Sequence, residues 1–259
     1  MLAITMNKEK LKTISLTLLF LLLASSAFAY DEDYPPFDPD KTEFDGAYVA
    51  EIANPWMEET TVKEGPIEIK VSLPKEHEGS LAAYTNLEVR HNGELAFVLN
   101  KDEEYPRLHS IYYFDADKNG LDDLVVGAGY NGNGMGAFDH KGFIFLQAQE
   151  GVFKQLSYKT MYFDNNDFVD VNKDGKYEVI TTSFYQVDGV DGKSHSFWVY
   201  NLYAFDGEDL VLANDLSPIF PKFIWFTHKP NDKETDKLSK EQKAKYIASL
   251  PQRIKAETF

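Results

Sequence analysis

The chain has 259 residues, with 42 Asp and Glu against 26 Lys and Arg, a formal net charge of −16 and no cysteine. The lack of cysteine excludes disulfides, thiolate metal ligands, cysteine nucleophiles and a lipid-modified cysteine. The acidic excess argues against nucleic acid or an anionic membrane surface as a partner, because Lys and Arg side chains bind such polyanions.

The N-terminal segment, residues 1–29, predicts a secretory signal peptide. Three lysines lie ahead of an apolar stretch over residues 14–23, and Ala27-Phe28-Ala29 fits a cleavage site. The stretch is shorter than the roughly 20 apolar residues that a membrane-spanning helix needs, and we expect no span elsewhere. We therefore expect export to the periplasm or beyond. The acidic, proline-rich residues 30–41 that follow predict an extended segment.

Residues 42–228 predict a domain of repeated β units. Three stretches each contain two short apolar or alternating runs around a glycine turn, which is typical of a β-hairpin: residues 86–99, 143–156 and 201–212. The turn glycines, Gly93, Gly151 and Gly207, are 58 and 56 residues apart. A recurring period of this size indicates one supersecondary unit used several times.

A second repeated feature is an acidic loop, found at residues 115–123 and 170–178, so that the two loops start 55 residues apart. An aromatic strand precedes each loop and an apolar strand follows it. We predict the order hairpin, aromatic strand, acidic loop and apolar strand within a unit, and residues 67–73 as part of a further, degenerate unit. Long polar loops are predicted after the apolar strands, at residues 129–142 and 187–194. Four short antiparallel strands per unit predict an all-β fold, a small or incomplete β-propeller.

The acidic loops have the chemistry of calcium sites. Oxygen-bearing side chains occur at positions 1, 3, 5 and 9 of both, a backbone carbonyl is available at position 7, and glycine at position 6 permits a sharp turn. We predict two Ca²⁺ sites, because calcium takes six to eight oxygen ligands whereas magnesium keeps its waters. The predicted ligands are Asp115, Asp117, Asn119, Leu121 and Asp123 in the first loop, and Asp170, Asn172, Asp174, Lys176 and Glu178 in the second.

The flanks of the loops decide between two calcium-binding folds. An EF-hand has a glutamate at position 12 between two helices, whereas position 12 here is Val126 or Thr181 within β-like sequence. The pattern instead resembles the FG-GAP or VCBS repeats of integrin-α-like β-propellers. The Phe-Gly-x-Gly-Ala-Pro stretch that names the repeat is absent, and Val126-Gly-Ala-Gly129 is a partial echo of it. The resemblance implies a propeller with calcium in its loops and a binding role toward a protein or a glycan.

The C-terminal part, residues 229–259, predicts a charged loop followed by one helix. Ser239 and Gln242 fit a capping box at the start of that helix, and Pro251 ends it.

No enzymatic motif stands out. The six histidines show no metalloenzyme spacing, and the chain contains no Gly-x-Ser-x-Gly elbow or nucleotide-binding glycine loop. We expect a non-enzymatic, exported, calcium-binding module that contacts a protein or glycan through its long loops, with calcium in a structural role. Two alternatives stay open: a hydrolase of cell-envelope polysaccharide, and an exported inhibitor of a lysozyme-like enzyme, to which an acidic surface would be complementary.

Overall fold

The computed structural model describes residues 59–72, 86–99, 107–129, 139–163, 167–226 and 237–258. The chain divides into two compact units, and the one formed by residues 1–37 and 227–232 lies outside the described residues. All described residues belong to the other unit. They form three antiparallel sheets and one α-helix, which confirms the all-β prediction. The predicted signal peptide, residues 1–29, and the proline-rich residues 30–41 lie outside the described part.

The first sheet has the order β1-β2-β3-β4 and contains only local connections. Its strands are β1 (Thr60–Glu64), β2 (Ile67–Ser72), β3 (Asn86–His91) and β4 (Glu94–Leu99). Asn92 and Gly93 between β3 and β4 both have positive φ, 52° and 84°. Such a pair forms the two-residue turn that matches the twist of a hairpin. The predicted hairpin is therefore confirmed, and Ile67–Ser72 forms a strand beside it.

The second sheet has the order β15-β8-β7-β6-β5. Its strands are β5 (Arg107–Phe114), β6 (Asp123–Gly129), β7 (His140–Gln149), β8 (Val152–Thr160) and β15 (Glu257–Thr258). The third sheet has the order β14-β12-β11-β10-β9, and β13 also pairs with β11. Its strands are β9 (Phe168–Val169), β10 (Glu178–Asp188), β11 (Ser194–Asp206), β12 (Asp209–Leu212), β13 (Lys222–Trp225) and β14 (Arg253–Ile254).

The four-stranded unit begins at a different point from the one predicted. In the second sheet the acidic loop joins β5 to β6, and the hairpin β7-β8 supplies the next two strands of the same sheet. The third sheet repeats this order with β9, β10 and the hairpin β11-β12. The predicted order, with the hairpin first, was wrong because each apolar strand pairs with the hairpin that follows it in the chain rather than the one before it.

The predicted long loop at residues 187–194 is a short turn. Strand β10 continues to Asp188 and β11 begins at Ser194, and Gly189 N donates to Lys193 O at 2.7 Å across the turn. The prediction of a loop was wrong because it was based on the polar residues of this segment. The ends of these strands are largely exposed and so need no apolar side chains. For the loop predicted at residues 129–142, β6 reaches Gly129 and β7 begins at His140, and residues 130–138 lie outside the described part.

The three sheets pack face to face in chain order, and the helix packs on the third sheet. One core cluster joins side chains of the first sheet to one face of the second, where the Phe97 and Phe145 rings stack at 4.3 Å. Another joins the opposite face of the second sheet to the third, through residues such as Val125 and Val179. All seven residues of β6 are buried, so its sequence is apolar almost throughout instead of alternating.

The α-helix, α1 (Lys240–Ser249), packs on the third sheet and starts where the sequence predicts. Ser239 Oγ accepts a hydrogen bond from Gln242 N at 3.2 Å, and Gln242 Oε1 accepts one from Ser239 N at 2.7 Å, which confirms the capping box. Beyond Pro251 the chain adds β14 to the third sheet and β15 to the second, neither of which was predicted. A short 3-10 helix spans Asn214–Leu216. In the described residues no helix has the length and apolar character to cross a membrane.

Candidate metal centre

The first acidic loop connects β5 to β6 and is closed by the carboxylate of Asp115. Its Oδ1 accepts from Asn119 N at 3.0 Å and its Oδ2 from Gly120 N at 3.0 Å. Lys118 and Gly120 have φ of 58° and 91°, so the chain turns sharply at two points within the loop. Aspartate at position 1 therefore binds the two amides that the turn would otherwise leave without partners.

The second loop, between β9 and β10, repeats this closure at equivalent positions. Asp170 Oδ1 accepts from Asp174 N at 3.1 Å, and Asp170 Oδ2 accepts from Gly175 N at 2.9 Å. The positive φ angles also recur, with 61° at Lys173 and 87° at Gly175. The 55-residue sequence repeat is thus a repeat of backbone conformation as well.

The side chain at position 5 is held in the same way in both loops. Leu121 N donates to Asn119 Oδ1 at 2.8 Å, and Lys176 N donates to Asp174 Oδ1 at 2.8 Å. Position 7 therefore takes part through its backbone, and its side chain differs between Leu and Lys. The amide of position 5 in turn donates to the side-chain oxygen of position 3, at 3.1 Å in the first loop and 2.9 Å in the second.

The acid at position 9 is the first residue of the following strand and reaches back into the loop. Asp123 Oδ2 accepts from Ala116 N at 2.8 Å, and Glu178 Oε2 accepts from Val171 N at 2.9 Å. Asp123 is fully buried and Glu178 is 2% exposed. Both loops therefore have an inward-facing carboxylate at the base of the strand.

The first loop brings its carboxylates together most closely. Asp115, Asp117 and Asp123 each offer an oxygen, and these oxygens lie within 4.8 Å of one another, the one such group of three His, Asp or Glu side chains among the described residues. Of the equivalent residues in the second loop, Asn172 is an amide. Its Nδ2 donates to Asp174 Oδ2 at 3.0 Å and to Glu178 Oε1 at 3.4 Å. The second loop thus gathers its oxygens around that amide.

The electrostatics of both loops favour a bound cation. Burial raises the pKa of Asp123 to about 8, and the nearby charges of Asp117 and Asp115 contribute in the same direction. Burial likewise raises the pKa of Glu178 to about 7, with further contributions from Asp174 and Asp170. The pKa of Asp117 is also raised, chiefly by burial. A cation among these oxygens would supply the counter-charge that the buried carboxylates lack.

Gln147 on β7 supports the first loop, and the sequence analysis missed it. Its backbone N donates to Asp123 Oδ1 at 2.7 Å, and its side chain bridges Asp122 O at 3.0 Å and Gly151 N at 2.7 Å. Its carbonyl accepts from Asn119 Nδ2 at 3.1 Å. Gln147 is 3% exposed and follows an apolar run, and a polar residue in such a place was the available signal.

The donor set fits calcium. The predicted ligands offer only oxygen, from carboxylates, side-chain amides and the backbone at position 7, and hard cations with six to eight ligands take such a set. Position 12, Val126 or Thr181, lies inside a buried β-strand, so the loops do not belong to an EF-hand. The structure thus places all ten predicted residues in two equivalent loops.

Comparison with protein-family models, with curated proteins and with solved structures finds no match to this chain. What the protein does must therefore be inferred from its own sheets and loops.

Proposed function

We propose that this protein is an exported, calcium-stabilised binding module, and that each acidic loop holds one Ca²⁺ ion. The observation that carries the proposal is the shared hydrogen-bond network of the two loops, with equivalent bonds to the side chains at positions 1, 3, 5 and 9. A solvated turn with no ligand would not need a buried acid at position 9 in both copies.

The calcium is structural in this proposal. Each loop joins the first two strands of a sheet, and in the first loop Gln147 links it to the hairpin β7-β8 as well. A cation bound there would hold all four strands in register. It would sit among side chains that already have hydrogen-bond partners, in a loop with no candidate nucleophile, which favours support over catalysis.

The propeller-like architecture is the second part of the proposal. Sheets that pack face to face, with the middle one buried on both sides, are arranged as successive propeller blades are. The loops resemble FG-GAP or VCBS repeats, and in propellers of that type the binding role belongs to loops on one side. We extend the same role, toward a protein or a glycan, to this chain. Export is supported by the signal-like residues 1–29.

Thermal unfolding tests the calcium sites. We expect calcium to raise the melting temperature relative to chelator, with a stabilisation of about 2.7 kcal/mol per site at a concentration one hundred times the Kd. Asp123→Asn should lose much of this shift, because it removes a buried ligand. Asp122→Asn is the matched control, since Asp122 is exposed and adjacent. A calcium shift of equal size in both variants would contradict the assignment.

Calorimetric titration tests the number of sites. We expect two calcium ions per chain in the wild type. The Asp115→Ala variant and the Asp170→Ala variant should each bind one. Lys176→Ala should keep both, because position 7 takes part through its backbone. Release of soluble sugar from peptidoglycan by the calcium-loaded protein would overturn the non-enzymatic role while leaving the metal sites intact.

A further inference from the structure

Phe114, the residue before the first acidic loop, is fixed to both ends of that loop. It directly precedes Asp115 in the chain, and it pairs with Asp123 in the ladder between β5 and β6. Phe114 therefore adjoins the predicted ligands at positions 1 and 9. Its ring is buried in the core cluster shared by the second and third sheets. Because such a core is closely packed, the ring cannot move independently of its neighbours.

The Phe114 ring contacts both sides of the second acidic loop. It meets Phe168, on β9 before that loop, with ring centroids 5.3 Å apart and an interplanar angle of 75°. It also meets Tyr177, at position 8 of the loop, at 5.5 Å and 87°. Both partners are buried, and Tyr177 directly precedes the predicted ligand Glu178. Edge-to-face pairs of this kind attract beyond the area that they bury. One ring at the base of the first loop thus packs on both flanks of the second.

Lys118, at position 4 of the first loop, contacts the same tyrosine. Its Nζ lies 4.7 Å from the centroid of the Tyr177 ring, within the range of a cation–π interaction. Lys118 stands between the predicted ligands Asp117 and Asn119, and its φ of 58° is part of the sharp turn. Lys173 has the equivalent position in the second loop, with a φ of 61°. The contact therefore joins position 4 of one loop to position 8 of the other.

We propose that the two acidic loops bind calcium with positive cooperativity, through the contacts of Phe114 and Lys118 with Tyr177. The inference rests on the proposed calcium sites and adds how each site regulates the other. An ion in one loop would fix its ligands and, through these contacts, part of the other loop, so that the second ion has less motion to restrict. Two divalent cations repel each other, so charge alone would make the second ion bind more weakly. The sign of the coupling therefore separates the contacts from charge.

Calorimetric titration of the full chain with Ca²⁺ measures this coupling. The Asp115→Ala and Asp170→Ala variants each report one loop alone, whereas the wild type reports both. The coupling factor is the product of the two single-site dissociation constants divided by the product of the two wild-type constants. We expect a factor of about five or more. Two ions bound without a gain over the single-site variants would overturn the cooperativity and leave the proposed sites in place, whereas a wild type that binds no calcium would overturn both.

Two lysine variants separate the ring contact from charge, each measured with the same pair of single-site changes. Lys118→Ala removes the ammonium group from the Tyr177 ring, and the coupling factor should fall by about twofold or more. Lys173→Ala is the matched control, because it removes the same charge from the equivalent exposed position of the second loop. It should keep the wild-type coupling factor. Equal losses in the two variants would refute a role for the Lys118 contact.

Phe114→Leu tests the larger contact. It keeps an apolar side chain and removes the ring, so both ions should still bind while most of the coupling is lost. Full coupling in a variant that melts as a folded protein would contradict the role of the ring.

Hydrogen exchange gives a second readout that does not depend on the folding of Phe114→Leu. The Asp170→Ala variant binds calcium in the first loop alone and keeps the acceptors of the Val171 and Lys176 amides in the second loop. Calcium should slow the exchange of these two amides, because the first loop restrains the second through the rings. Exchange that calcium leaves unchanged, in a variant shown by calorimetry to bind one ion, would overturn the proposed coupling.

Discussion

At the scale of single residues, Asp123 is the place where proton binding would compete with the proposed cation. It lies at the base of β6, fully buried, with hydrogen bonds from Ala116 N and Gln147 N. These two bonds stabilise the charged form, and burial together with two neighbouring carboxylates opposes it more strongly. Without a cation the balance favours the protonated acid, and a divalent ion at the same place would reverse it.

The first prediction concerns stability against pH in metal-free protein. The pKa of Asp123 in the folded state is about 8, against an ordinary 3.8, so between these values the folded state keeps a proton that the unfolded state has released. The free energy of unfolding should therefore fall as pH rises from about 4 to about 8. Glu178, with a pKa of about 7, acts in the same direction. Urea denaturation across this pH range measures the slope.

Variants assign that slope to the loops. Asp123→Asn should reduce it to the part that Glu178 contributes, because the amide does not titrate, whereas Asp122→Asn should retain it. Saturating calcium should also flatten or reverse the slope in the wild type, since the ion keeps the carboxylate charged. A slope that Asp123→Asn leaves unchanged would show that other groups cause it.

The second prediction separates backbone strain from steric overlap at a loop glycine. A Cβ on Gly120 would meet no atom within 4 Å, but φ is +91°. Gly120→Ala should therefore cost about 1 to 2 kcal/mol through backbone strain alone. Gly120→Asn should cost less, because Asn tolerates positive φ better than Ala. Chemical denaturation of both variants measures the difference, and equal losses would contradict a strain-based account.

At the scale of elements, Tyr246 is the buried residue of α1 and helps to attach the helix to the third sheet. The Tyr246 hydroxyl accepts from Asn201 Nδ2 at 3.0 Å and bonds to Ser183 Oγ, which links it to β11 and β10. Its ring packs beside Phe223 and Tyr185. Because Asn201 is 1% exposed, removal of the hydroxyl leaves a buried amide short of a partner.

The third prediction follows from that contact. Tyr246→Phe keeps the ring and should lower the free energy of unfolding by about 1 to 3 kcal/mol, the cost of leaving a buried polar group unsatisfied. Lys245→Ala, at an exposed neighbouring position, should change stability by less than about 0.5 kcal/mol. Urea melts measure both, and calcium binding should persist in each. A neutral Tyr246→Phe would mean that Asn201 finds another partner.

The elements that the sequence predicted well have local causes. Asn92-Gly93 defines its hairpin through backbone preferences of the two residues themselves, and Ser239 with Gln242 does the same for the helix start. The acidic loops are also local, because the amides that Asp115 binds are four and five residues away. In such cases the signal and the structure lie within one short window of the chain.

The features that were missed depend on distant residues. Strand β15 consists of Glu257 and Thr258, which carry no strand pattern and pair with β8. Gln147 acts on a loop 24 to 28 residues earlier in the chain, and the bulge at His109 is visible only once β5 is aligned with β6. The starting point of each unit depends equally on which strands pair. No single window contains this information.

At the scale of the whole molecule, the C-terminal strands connect two layers. Strand β14 pairs with β12 in the third sheet and β15 with β8 in the second, so residues 253–258 cross from one sheet to the other. Ala256 lies between β14 and β15 in the chain, and its N donates to Asp209 Oδ1 at 3.0 Å. Ile254 and Ala256 also pack against the core shared by the two sheets. The segment therefore adds a backbone link between layers that side-chain packing and the hydrogen bonds of Thr182 with Met161 and Thr160 also join.

The last prediction is that deletion of residues 253–259 weakens this link without unfolding either sheet. Amides of β8 and β12 should lose protection from hydrogen exchange, because their ladder partners are gone, while those of β2 and β3 in the first sheet should keep theirs. Calcium binding should remain at two ions per chain. Each loop joins the two strands at one edge of its sheet, and the deleted strand lies at the other edge. Deletion of Phe259 alone is the control and should preserve protection throughout. Unchanged exchange at β8 and β12 in the longer deletion would show that the remaining packing and hydrogen bonds are enough to hold the layers together. A general loss of protection would show that the C-terminal strands are needed for the whole fold.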